Sequence, residues 1–144
     1  CAVRSIFTKS GREMTVSEQS LRQAIRIITS IDGIVMNPQH LLLDILELSQ
    51  VPAFADDDKF NSVIATIEKA LREIMNNDAI GDRLKNDFTG FKSFHIKSDY
   101  PTDPPHDDLR IVYERETKQV WIVAFGHRYL PDDFYDRIRQ SNRM

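Results

Sequence analysis

Between residues 95 and 135 the chain carries His95, Lys97, Arg110, His127, Arg128 and Tyr135. These are the side chains with which RNA can be cut without a metal. The 2′-hydroxyl must lose a proton, the leaving 5′-oxygen must gain one, and the pentavalent phosphate must be held by positive charge. Arginine clamps phosphate with a planar fork, and histidine titrates near neutrality. Arg110, Arg128, Tyr135, His95 and Lys97 are therefore the candidate catalytic residues. Lys85, Lys92 and His127 are candidate contacts to the RNA backbone. No cofactor is called for. His40, His106 and the run Asp56-Asp57-Asp58 show no metal-ligand spacing, so no metal site is expected.

Period-two segments must position these groups. Phe94 and Ile96 alternate with His95 and Lys97, and Leu109, Ile111 and Tyr113 alternate with Arg110 and Glu114. Val120 to Phe125 is apolar on both faces and reads as an inner strand with Trp121 in the core. Asp99 to Asp108, rich in Pro and Asp, reads as a loop, and Glu116-Thr117-Lys118 as a tight turn. Asp132 to Arg139 should close as a short helix. Arg110 has a bland reading as the partner of Glu114, and His127 as a packed residue; Tyr113 reads as structural.

The first half is helical in pattern. Thr15-Val16-Ser17-Glu18 resembles a capping box ahead of Leu21, Ala24, Ile25, Ile28 and Ile31, with Gly33 as a stop. Asn37-Pro38 starts a leucine-rich helix, read as core or as a homodimer face. Asp56-Asp57-Asp58 precedes Phe60, Val63, Ile64, Ile67, Leu71 and Ile74, the clearest helical stripe in the chain. Val3 to Thr8 could form a short strand.

The whole is 144 residues with a formal charge of −3 and one cysteine, Cys1, so no intrachain disulfide can form. A cytoplasmic setting is expected, and no apolar run reaches membrane length. Residues 1–82 hold 8 Lys+Arg against 12 Asp+Glu, and residues 83–144 hold 11 against 10. Broad nucleic-acid binding by a global field is thereby excluded, and any RNA contact must come from local clustering.

In order, the strand with Arg110-Ile111-Val112-Tyr113, a hairpin, the apolar strand, Gly126-His127-Arg128 and then Tyr135 resemble the RelE/ParE toxin superfamily of bacterial toxin–antitoxin systems. The resemblance covers roughly residues 57–138. It implies an α+β fold, with N-terminal helices packed on a small antiparallel sheet of three or four strands. It divides the chain into an N-terminal helical region, 1–55, and a toxin domain, 56–144. It implies a ribosome-dependent mRNA endoribonuclease in which Arg110 and Arg128 stabilise the phosphate, while Tyr135 or a basic group on the His95/Lys97 strand handles the proton. Its partners would be a cognate antitoxin, the ribosome and mRNA. Family toxins open with a strand and a helical hairpin, where this chain has an acidic helical region. Two alternatives share the fold: a ParE-like inhibitor of DNA gyrase, and a non-catalytic regulatory domain whose acidic helices cover the basic face.

Overall fold

The computed structural model describes residues 15–100, 107–130 and 132–143. Cys1, the strand expected at Val3 to Thr8, and most of the proline loop with His106 lie outside the described residues. The order of elements is α1 (Glu18–Thr29), β1 (Ile34–Met36), α2 (Pro38–Ser49), α3 (Asp57–Asn76), β2 (Asp82–Arg83), β3 (Lys92–Ile96), β4 (Leu109–Arg115), β5 (Val120–His127) and α4 (Phe134–Gln140).

Helix starts follow local chemistry. Ser17, and not Thr15, caps α1 by accepting from the Ser20 amide. Asn37 caps α2 with Pro38 in the first turn. Asp56 caps α3, while Asp57 accepts the Ser17 amide at 2.7 Å and ties the start of α1 to the start of α3. Helix α1 ends before Gly33, which instead takes a positive φ of 85° and turns the chain into β1.

The fold is α+β, but the sheet differs from expectation. It has five strands in the order β1-β5-β4-β3-β2 and is mixed, because β1 pairs parallel with β5. The chain's last long strand therefore lies inside the sheet. One face carries Leu109, Ile111, Tyr113, Val120, Ile122 and Phe125, which share one core with buried residues of α1, α2 and α3. No core boundary falls at residue 55. The other face carries Val112, Val123 and Ala124, covered by Phe134 and Ile138 of α4 and by Phe88. Trp121, read as core, is 42% exposed on that second face. Among the described residues no helix is long and apolar enough to cross a membrane.

Register explains a third difference. Val112 faces Ala124 while Tyr113 faces Ile122, so Val123 is an extra residue, a bulge in β5. Beyond Met36, β5 has no β1 neighbour. There the Phe125 amide donates to Asp44 Oδ2 (3.1 Å), and the Val123 carbonyl accepts from Arg143 Nη1 (3.2 Å). Asp44 and Arg143 close on each other through two contacts of 2.8 Å, with side chains 3% and 2% exposed. Burial pushes the Asp44 carboxyl up to about 6 against the opposing pull of Arg143.

Removing one member of such a pair leaves a buried charge without its partner. Asp44→Ala should lower stability by about 3–5 kcal/mol. The Asp44→Leu/Arg143→Met double variant should lose less. Urea midpoints compared at unchanged slope check both.

Candidate functional site

Strand register brings the predicted groups to one face. His95 stands opposite Arg110, and Arg110 opposite Gly126, on the face that α4 covers. Ser93 lies two residues before His95. It is fully buried, and its hydroxyl is 3.1 Å from the Tyr135 hydroxyl. The Arg128 guanidinium lies 5.0 Å from the Tyr135 ring and 5.0 Å from the Tyr129 ring. His95, Arg110, Arg128 and Tyr135 thus share one side of the sheet, although they come from two strands, the loop after β5 and a helix.

The two arginines differ electrically. Arg110 donates to the main-chain carbonyls of Asp107 and of Leu109. No carboxylate pairs with it among the described residues. Arg128 pairs with Asp133, which also caps α4 through the Asp136 amide. Burial works to raise the Asp133 carboxyl, but the Arg128 and backbone hydrogen bonds outweigh it and hold the group below its usual range. Asp136 pairs with Arg139 at 2.7 Å, so among the described residues Asp132 is the one acid near Tyr135 that is exposed without an ion pair. His95 is exposed, and its pKa lies below the ordinary value. Burial is the larger cause and the Arg110 charge the next, with a smaller part from Arg128 and opposition from Asp82 and Asp107. It is accordingly neutral at pH 7.

Other predicted residues stand apart. Lys97 is exposed beyond the end of β3. Lys92 sits opposite Tyr113 on the α1–α3 face and donates to the carbonyls of Asp78 (3.2 Å) and Ile80 (3.5 Å). Lys85 is exposed beside the turn Asn86–Phe88, near the outer edge strand. His127 takes its packed reading and not the RNA contact. It is 2% exposed, and its Nδ1 accepts from the Tyr129 and Leu130 amides, each at 3.1 Å. Burial lowers its pKa, which keeps that nitrogen free to accept. It folds the loop after β5 and is not placed to touch RNA.

Ser93, Asp133 and Asp108 were not singled out from sequence. Asp108 is buried. Its carboxylate accepts from the Ser98 amide (2.8 Å) and hydroxyl (2.6 Å), and its carbonyl accepts from the Arg128 amide. It pins both ends of the proline loop beside Arg128. Alternation with His95 was the signal for Ser93, and an Asp just before an apolar helix was the signal for Asp133.

Compared with known proteins, the chain matches no family model, no curated protein and no solved structure.

Asp133→Ala removes both the α4 cap and the partner of Arg128. A loss of about 1–2 kcal/mol is expected. Asp132→Ala should leave the denaturation midpoint in place.

Proposed function

We propose that this chain is a RelE/ParE-type toxin that cleaves mRNA on the ribosome without a metal. The observation that carries the reading is the convergence of His95, Arg110, Arg128 and Tyr135 on one sheet face. A second feature supports it. From β1 onward the chain runs strand, two helices, antiparallel meander and terminal helix, and a strand with a helical hairpin is the opening the resemblance calls for. Helix α1 is then the addition.

Each group has a role that its surroundings suit. Neutral His95 takes the proton of the 2′-hydroxyl as that oxygen attacks phosphorus. Arg110 and Arg128 hold the equatorial oxygens as charge builds. The Tyr135 phenol, oriented by Ser93, protonates the departing 5′-oxygen. Asp133 must give up part of its hold on Arg128 when phosphate enters. Lys97, past the end of β3, is available to a neighbouring phosphate.

One observation favours a non-catalytic domain of the same fold instead: the Asp133 carboxylate already neutralises Arg128. That alternative needs a new form, because α1, α2 and α3 pack on the opposite face and cannot cover the basic cluster. The gyrase-inhibitor reading predicts blocked supercoiling with intact mRNA. A homodimer would use the exposed Leu42 and Leu43 of α2.

On programmed ribosomes the purified protein should cut mRNA, with cleavage mapped by primer extension. Arg110→Ala and Arg128→Ala should each slow cutting about a hundredfold or more. Intact mRNA would remove the proposal. The rate should rise with pH as His95 loses its proton. The midpoint should lie below 6.5, the ordinary histidine value, and His95→Gln should abolish that rise.

A further inference from the structure

We infer that the part of the sheet face left open beside α4 is a docking groove for a basic, apolar peptide segment of a protein partner. The inference does not rest on the nuclease reading. Register places one row of side chains straight across the sheet. Val35 faces Trp121, Trp121 faces Glu114, and Phe91 is the next residue out from the Lys92–Tyr113 pair. Helix α4 covers Val112 and Ala124 but stops short of this row. What remains is a groove of about 620 Å³ lined by Val35, Phe91, Glu114, Glu116, Trp121 and Val123, among others.

Its centre is a preset anchor. Trp121 is 42% exposed between Val120 and Ile122, which are 0% and 4% exposed. Its indole donates to Glu116 Oε1 at 2.9 Å, which fixes the ring. A fixed aromatic surface costs little ordering entropy when covered, which is why tryptophan anchors so many interfaces.

Charge selects the occupant. Glu114 is exposed and has no cationic partner among the described residues. Among the described residues the Glu116 carboxylate is bound only by the neutral indole. The lining cations do not offset them. Arg143 is taken up by Asp44, and His40 is held below its ordinary value by burial and then by Arg143, so it is neutral at pH 7. A segment with apolar side chains for Trp121 and Val35, and Lys or Arg for the two glutamates, complements this surface. An arginine could also stack on the indole. A second copy fits poorly, since a two-fold contact would set Glu114 and Glu116 against their own equivalents.

Trp121 is the sole tryptophan and reports directly on the groove. The full chain is titrated with a tryptophan-free peptide of alternating leucine and arginine, and with a twin carrying glutamate for arginine. The basic peptide should shift Trp121 emission and saturate. The acidic twin should leave it unchanged. Glu114→Gln/Glu116→Gln, with both positions exposed, should keep the far-ultraviolet circular dichroism of the wild type and weaken binding about tenfold. No emission response to the basic peptide, or equal binding by wild type and variant, would overturn the inference. So would an emission shift that follows protein concentration alone with dimer in sedimentation, which would assign the groove to a second copy.

Discussion

The buried pair of Asp44 and Arg143 is the interaction on which the rest of the arrangement depends. Strand β5 lies inside the sheet between β1 and β4, yet β1 covers only its first three residues. At the bulge its main chain turns polar groups toward a region with no strand to receive them. A bare amide and carbonyl there would each cost about 1–3 kcal/mol. One carboxylate and one guanidinium take both groups and neutralise each other. Helix α2, the sheet and the segment after α4 are thereby held by one contact. A buried ion pair contributes little net stability over an apolar core. What it supplies is a definite register, because only one placement of α2 puts Asp44 at the Phe125 amide.

That placement matters for the basic face. Arg137 of α4 reaches Glu47 of α2 at 2.8 Å and the His127 carbonyl at 2.5 Å, so α4 is tied through α2 as well. Arg139 bonds Asp87 at 2.7 Å and lies 4.8 Å from the Phe88 ring. Arg115 is spent on Asp78 and the end of α3. Most arginines of the second half therefore hold the fold together. Of these, Arg83 and Arg110 have no carboxylate partner among the described residues, and Arg110 stands on the face that α4 covers, so a near-neutral half of the chain can still present positive charge there.

Local signals in the sequence were legible where the physics is local. The α3 stripe with the acidic run at its start, the Asn37-Pro38 start, and the period of two through β3 and β4 read directly, and that period put His95 and Arg110 each on the polar face of its strand; the pairing of the two strands brings them side by side. What failed depended on distant partners. Ile34–Met36 is too short to show a period, and its meaning lies in Val120 to Ile122. Trp121 looked buried because its neighbours are apolar, but the bulge and the short α4 leave its face uncovered. His127 read both as an RNA contact and as a packed residue, and what decides for packing, the Tyr129 and Leu130 amides folded back onto it, is set by the loop conformation.

The parallel pairing of β1 with β5 also orders events in time. Val35 waits for Trp121, and Asp44 for a partner 99 residues later. During synthesis α1, α2 and α3 can gather first, since they are neighbours in the chain, but their apolar sides face a sheet not yet made. The nascent protein therefore cannot complete its core until β5 has been made. Until then it exposes Ile45, Ile64 and Leu71, a state in which chaperones would find it.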